Sequence, residues 1–381
     1  MLKKFLEQKP LYYNEIDYTR MPRVYGRIKA YLPTPKIIHI VGTNGKGTTG
    51  RFLATALYNL GFKTLHYTSP HILEFNERIW LDGKNATDEE LQNAHAKLQT
   101  LLTKDESDSL SYFEYTTFLA IVMAKESEFI VLEAGLGGEH DATAVFANEV
   151  TVVSVIDMDH EAFLGDNIKD IATTKLNAIQ KTLILGHQKF SDVEQIASNI
   201  STKKGIDFYR YEELLDEQDC VKIEHISQKL GLASYLVLNL KLSLSVLKFF
   251  DISYTEDSFN NSRLFGRLSK IGKNILVDVG HNILAAESIL DALKGKKYIL
   301  VYNSYKDKNY KEILRILKPI IWHVEIIEIY DDRVVSKELL QSTLNTLEIK
   351  YSLFKKTEDD FNYLVFGSFS VVEQFLKVFD G

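Results

Sequence analysis

The run Ile37-Ile38-His39-Ile40-Val41-Gly42-Thr43-Asn44-Gly45-Lys46-Gly47-Thr48-Thr49 decides how the chain folds. Its aliphatic opening suits a short buried strand. A glycine-rich turn with one lysine follows, and then Phe52, Leu53, Ala56, Leu57 and Leu60 recur at helical spacing. Strand, glycine turn and helix together form a phosphate cradle, because glycines let backbone N–H groups converge on an anion at a helix N-terminus. Lys46 is placed to reach the β- and γ-phosphates and Thr48 to ligate Mg²⁺. Gly47 separates the lysine from the hydroxyl, so the run departs from the strict G-x-x-x-x-G-K-[ST] pattern. The competing reading is a glycine turn with no ligand. Its flanking buried strand and periodic helix favour the nucleotide.

At 381 residues the chain has room for two domains with substantial cores. Its hydrophobic fraction of 45% and charged fraction of 25% are those of a soluble globular protein. A net charge of −7 gives no global basic surface for nucleic acid. Cys220 is the only cysteine, which excludes an intrachain disulfide and a cysteine-cluster zinc site. The N-terminus interleaves Lys3, Lys4, Glu7 and Lys9 with short apolar patches, and no uncharged run approaches a membrane span. A cytoplasmic protein without membrane contact is the expectation. No heptad run or apolar seam stands out, so a monomer is expected.

Around the cradle, residues 1–36 read as a lead-in broken by Pro22, Pro33 and Pro35. Strands are expected over 63–67, 129–134, 150–156 and 182–185, and helices over 88–104, 111–125, 167–180 and 236–250. Thr68-Ser69-Pro70-His71 follows a strand end, where either a ligand site or a plain turn fits. Glu133 ends an apolar strand before Gly135-Leu136-Gly137-Gly138 and suits a metal or nucleotide site. His160, after Asp157-Met158-Asp159, is a candidate Mg²⁺ ligand or phosphate contact. Lys175 reads from its helix alone as a solvated lysine, and Tyr112, Phe113 and Tyr115 as core aromatics. Polar residues 255–262 resemble a linker. Beyond them strands at 275–279, 298–302 and 324–329 alternate with helices at 284–293, 310–317 and 336–344, the pattern of a doubly wound unit. The expected architecture is α/β: a large N-terminal P-loop nucleotide-binding domain over 1–261 and a smaller C-terminal Rossmann-like doubly wound domain over 262–381.

These segments, in this order, resemble the folylpolyglutamate synthase/dihydrofolate synthase family of the Mur ligase superfamily, whose members form amides with ATP. Gly42 to Thr48 is similar to the family's phosphate loop, and Thr68-Ser69-Pro70-His71 and Glu77-Arg78-Ile79 follow as in the family. Glu133 to Gly138 resembles E-V-G-L-G-G, Asp159-His160 with Leu164-Gly165 resembles D-H…L-G, and Asp278 to Asn282 resembles D-G-A-H-N. The resemblance implies that Gly42, Thr43, Asn44, Gly45, Lys46, Gly47, Thr48 and Thr49 hold ATP, joined by Asn239, Arg267 and Asp278. It implies that Thr48, Ser69, Glu133 and His160 hold Mg²⁺, and that Lys175, carbamylated, anchors a second Mg²⁺. His281 lies in the family's interdomain segment and joins Lys46, Lys175 and His160 as a catalytic candidate. K⁺ is a further candidate cofactor. Tyr112, Phe113, Glu114, Tyr115, His140, Asp141 and Ala142 would line the pterin pocket.

The chain departs from the family at Glu139-His140 (commonly Arg-Leu), Ala144 (Asn), Thr174 (Glu) and Leu264-Phe265 (Trp-Pro). It is also somewhat short, so trimmed loops are expected over 187–260. The implied activity is ATP-dependent ligation of L-glutamate to dihydropteroate and to reduced folates. A peptidoglycan-precursor ligase ranks next, followed by a P-loop kinase or GTPase and by a non-enzymatic nucleotide-binding module.

Overall fold

The computed structural model describes residues 1–10 and 17–379. The chain divides into two compact units, Met1–Leu232 with Leu236–Ser262, and Ala233–Tyr235 with Arg263–Gly381. The first is built on strands β1 (Lys36–Val41), β2 (Thr64–Tyr67), β3 (Ile79–Leu81), β4 (Lys84–Asn85), β5 (Phe129–Glu133), β6 (Val150–Val153), β7 (Thr182–Leu185) and β8 (Asp207–Arg210). They lie in the order β4-β3-β2-β5-β1-β6-β7-β8, and only the pairings of β3 are antiparallel.

The order reverses at β1. The chain leaves β1 for β2, returns to lay β5 between them, and then places β6 on the other flank. Ligands of open α/β sheets bind beyond the carboxyl ends of strands at such a reversal. The strand tails that meet there are Gly42–Gly45, Thr68-Ser69, Glu133–Gly138 and Asp157–His160.

β1 is buried on both faces, which is why its sequence is apolar without alternation. Ile38 and Ile40 pack with Phe52, Leu53, Leu57 and Leu240 on one side. Ile37 joins Leu65, Tyr67, Ile130 and Phe118 on the other. Helix Lys46–Asn59 starts after Gly45, whose φ of +87° no ordinary side chain adopts readily and whose missing Cβ leaves room for Asn239.

Several elements differ from the sequence reading. Pro22 does not break the lead-in: it sits in the first turn of helix Arg20–Ile28, where a missing N–H costs no intrahelical bond. Residues 11–16 of that lead-in lie outside the described residues. The helix expected over 88–104 ends at Leu101, because Thr103 caps a separate helix Lys104–Ser109 in a box with Glu106.

The weakly patterned stretch 187–260 holds helices Ser191–Lys204, Glu217–Leu230 and Ser234–Phe249 besides β8. The linker reading of 255–262 fails, since these residues form a short 3₁₀ turn, Glu256–Phe259, that inserts the fully buried Phe259 into the first unit's core. One aromatic anchor outweighs the polar residues around it.

The second unit has its own core and a sheet of β9 (Ser269–Ile271), β10 (Ile275–Asp278), β11 (Tyr298–Tyr302), β12 (Ile321–Ile326), β13 (Tyr351–Leu353) and β14 (Tyr363–Phe366). Its order is β13-β12-β11-β14-β10-β9, parallel except for β9. Strand β12 begins three residues earlier than the hydrophobic pattern suggested, directly after the Pro319 turn. Among the described residues no helix is long and apolar enough to cross a membrane.

Candidate active site

The phosphate loop is clamped to the strand beside it. Thr43 N and Asn44 N donate to Val155 O at 2.8 and 3.4 Å, and Thr43 Oγ1 donates to Asp157 O at 3.0 Å. Lys46 Nζ folds back over the loop, 3.3 Å from Gly42 O and 3.4 Å from Thr43 O, and stands 3.9 Å from Glu133 Oε1. Asn239, buried on helix Ser234–Phe249, accepts from Thr49 Oγ1 at 3.3 Å and backs Gly45.

Thr48 is 2% exposed and its hydroxyl has no hydrogen-bond partner. An orphaned buried hydroxyl costs about 1–3 kcal/mol unless something else engages it. Glu133, which ends β5, accepts from Thr68 Oγ1 and, at 3.3 Å, from Ser69 N. Among the described residues no group of three or more His, Cys, Asp and Glu forms a ready-made metal cage. A hydroxyl and a single carboxylate beside a phosphate cradle instead suit Mg²⁺, which keeps waters and binds through few carboxylates plus phosphate oxygens. These residues fit that ion.

Lys175 overturns its own helix pattern. It lies on helix Ile168–Leu176, capped by Asn167, yet is 3% exposed, and its Nζ donates to Gly42 O at 3.0 Å. Burial, and then the charge of Lys46, bring its pKa down to about 7, against the pull of Asp159 and Asp141. Its backbone rests on Gly138, where a Cβ would come within 2.6 Å of the Lys175 carbonyl oxygen. Two ammonium groups thus converge on one carbonyl oxygen, and one of them is close to giving up its proton.

Not every implied residue faces a ligand. Asp141 is spent on the loop after β5: it accepts from Gly135 N, Leu136 N and Thr143 N at 2.9–3.0 Å and from the Thr143 hydroxyl. Burial raises its carboxyl pKa and these bonds lower it. The Thr143 hydroxyl in turn meets His39 Nε2 at 2.7 Å, a buried link the sequence did not announce. Ala142 is buried beside Asp141.

Glu114 closes a capping box with Ser111 and pairs with Arg20 at 2.9 Å, while Tyr115 is fully buried with its hydroxyl on His95 and Gln99. Both side chains are thus engaged within the first unit. Tyr112 and Phe113 keep solvent-facing surface, Arg78 lying over the Tyr112 ring. His140 is exposed, its ring 4.5 Å from Tyr18. His160 is exposed in a left-handed conformation, its N–H on Asp159 Oδ1 at 2.8 Å.

In the second unit, Asp278 ends β10 and accepts from Tyr235 Oη at 3.0 Å and from Leu268 N and Gly280 N at 2.8 Å. Arg267 lies over Phe369, and its charge offsets the rise that burial gives the Asp278 carboxyl. His281 Nδ1 lies 3.1 Å from Val279 O. Tyr235 carried no signal in the sequence, because its partner lies 43 residues on.

A lysine over a glycine cradle, a free hydroxyl and a strand-end carboxylate at the reversal of a parallel sheet define a P-loop nucleotide-binding enzyme. No family model matches the chain. It is 38% identical to Helicobacter pylori folylpolyglutamate synthetase, covering 99% of this chain and 97% of that one with a TM-score of 0.80. The dihydrofolate synthase/folylpolyglutamate synthase of Haemophilus influenzae is 28% identical, covering 98% of this chain and 96% of its own. A bifunctional folylpolyglutamate synthase/dihydrofolate synthase, solved with Mn, AMPPNP and L-glutamate bound, shares the fold at 22% identity, covering 98% and 96% of the two chains, with a TM-score of 0.81. The chain belongs to the folylpolyglutamate synthase family, whose members are ATP-dependent ligases.

Proposed function

We propose that the chain ligates L-glutamate to dihydropteroate and, in further rounds, to reduced folates, with ATP and Mg²⁺. The observation that carries this reading is the convergence of Lys46 and Lys175 on Gly42 O, beside the unpartnered Thr48 hydroxyl and Glu133. The ligands of the bifunctional synthase structure described above, a nucleotide analogue, a divalent metal and L-glutamate, support it. The peptidoglycan-precursor alternative has no such support.

A carboxylate is a poor acyl donor because oxide is its leaving group. Transfer of the γ-phosphoryl of ATP to the folate carboxylate gives an acyl phosphate and ADP. The neutral amine of L-glutamate then attacks the acyl carbon, the C–O bond to phosphate breaks, and amide, inorganic phosphate and one proton leave. Gly42 to Thr49 position the phosphates and Lys46 offsets charge growing on them. Mg²⁺ held by Thr48, Ser69, Glu133 and His160 would supply further charge neutralisation at the phosphoryl group.

The neutral amine of Lys175 can form an N–C bond to CO₂ and release one proton, giving a carbamate that would hold a second Mg²⁺; K⁺ is a further cation of this reading. Asn239, Arg267 and Asp278 are the further ATP contacts of this reading and His281 a further catalytic candidate, while Tyr112, Phe113, His140 and Ala142 line the pterin side. The reading takes 1–261 as the ATP-binding domain and 262–381 as the smaller ligase domain of a cytoplasmic monomer.

The experiment is glutamate-dependent ADP release from Mg²⁺-ATP with dihydropteroate and with tetrahydrofolate as acceptors. Release with both establishes the two activities. If neither acceptor supports turnover while ATP still binds, the folate assignment is wrong.

A further inference from the structure

Helix Lys46–Asn59 carries a second cation, Arg51, one turn beyond the phosphate loop. Its guanidinium lies over the Trp80 ring of β3, 5.0 Å from the centroid, and its Nε donates to His66 Nδ1 of β2 at 3.4 Å. Arg51 is partly buried, and no carboxylate among the described residues pairs with it. A guanidinium has five N–H donors in a flat fork. Here a single one meets a side chain.

The surroundings are built rather than incidental. His66 is fully buried and its ring rests on Gly50, where a Cβ would come within 2.4 Å of Nε2. Because Nδ1 accepts from Arg51, the ring proton sits on Nε2. Burial and the neighbouring Arg51 charge hold the imidazole neutral, so it orients the guanidinium without competing for an anion. Trp80 backs the flat face, no Nη donates to a side chain among the described residues, and Tyr58 meets Trp80 edge-on at 5.8 Å and steadies it.

Removing a cation from water is costly, and folded proteins ordinarily answer it with an acid. Acidic residues outnumber basic ones here, 52 to 45, yet none among the described residues answers Arg51. Desolvation alone moves its pKa, down to about 10, with no opposing acid. A strut stacked on tryptophan needs only the apolar stem and face of an arginine. The unpaired edge of the fork is what a planar or tetrahedral oxyanion would complete.

We propose that Arg51, backed by Trp80 and oriented by His66, forms an oxyanion site distinct from the phosphate loop, taking a carboxylate or a phosphate group. The site does not depend on the ligase reading.

Trp80 serves as a built-in reporter, because Trp322 is the only other tryptophan and lies exposed on the second unit. In Trp322→Phe protein, inorganic phosphate and L-glutamate are titrated separately while Trp80 emission is followed, with and without saturating Mg²⁺-ADP. We expect a saturable change with at least one anion, weakened tenfold or more by Arg51→Gln. Arg51→Lys, which keeps the charge and loses the fork, is expected to weaken it at least threefold. It decides the matter if the glutamine variant does not fold. Saturation by phosphate alone assigns a phosphate site, and by L-glutamate alone a carboxylate site. No saturable response to either anion, or equal affinities in the parent and both variants, overturns the proposal. Failure of ADP to bind would count against the ligase reading and leave the Arg51 comparison intact.

Discussion

Replacing Lys175 with methionine should make the protein inactive and, at neutral pH, more stable. Lys175 is held near a pKa of about 7 in the folded chain, against 10.5 in the unfolded one. At pH 6 the folded state therefore carries a buried, charged ammonium, and the gap corresponds to about 5 kcal/mol of penalty. Between pH 7 and 10.5 the unfolded chain binds the extra proton, so wild-type stability climbs with pH across that window and levels off above it. Methionine has similar length and no charge, so it escapes the penalty. It also gives up the bond to Gly42 O, leaving that carbonyl short of a partner at a cost of about 1–3 kcal/mol.

The net expectation at pH 6 is a gain of about 2–4 kcal/mol, and by pH 10.5, with the charge penalty gone, it turns into a loss of about 1–3 kcal/mol. Urea unfolding of both proteins in CO₂-free buffer at intervals from pH 6 to 10.5 measures it. CO₂ must be absent because the carbamate would remove the neutral amine from the equilibrium. A Lys175→Met protein less stable than wild type at pH 6, or a stability difference flat across the range, would refute the placement of Lys175 as a desolvated ammonium.

Three further outcomes are expected. Lys46→Ala should abolish ADP release while leaving the thermal midpoint within a few degrees of wild type; near-normal turnover removes Lys46 from the phosphates. Thr48→Val discards a hydroxyl with no partner, so stability should hold or rise by up to about 1–3 kcal/mol while the Mg²⁺ concentration for half-maximal activity climbs tenfold or more; an unchanged Mg²⁺ titration would take Thr48 out of the metal shell. Phe259→Ala should cost about 3–5 kcal/mol, read from denaturant midpoints, because it empties a fully buried site in the first unit's core; a loss below about 1 kcal/mol would return 255–262 to the status of a linker.

What could be read from the sequence was whatever is local. The strand, glycine turn and helix at 36–59 obey short-range rules, and they appear with Lys46 and Thr48 where those rules put them. The apolar strand ending in Glu133 is of the same kind. Lys175 was not legible from its surroundings, because its helix is polar and what buries it arrives from Gly42 and Gly138, more than 35 residues away. Resemblance, rather than periodicity, singled it out.

The partners of Glu114 and Tyr115 were hidden for the same reason of distance. Aromatic and acidic residues at a helix start look like a pocket, but Arg20, His95 and Gln99 claim them from elsewhere in the chain. Helices Ser191–Lys204 and Glu217–Leu230 bury few residues, so their hydrophobic pattern is thin. Arg51 carries no mark in the sequence, because a helical arginine is ordinarily a surface residue, and only the positions of Trp80 and His66 make it otherwise.

The phenol of Tyr235 sits on Asp278, and with Ala233 and Ser234 it belongs to the second unit although the residues on both sides belong to the first. The two units are therefore not cassettes that recombination could exchange at a single crossover near residue 262. A chimaera joined there would inherit Asp278 from one parent and its phenol from the other. Tyrosine at 235 would have to travel with the downstream partner, or the buried carboxylate would arrive in its new setting one donor short.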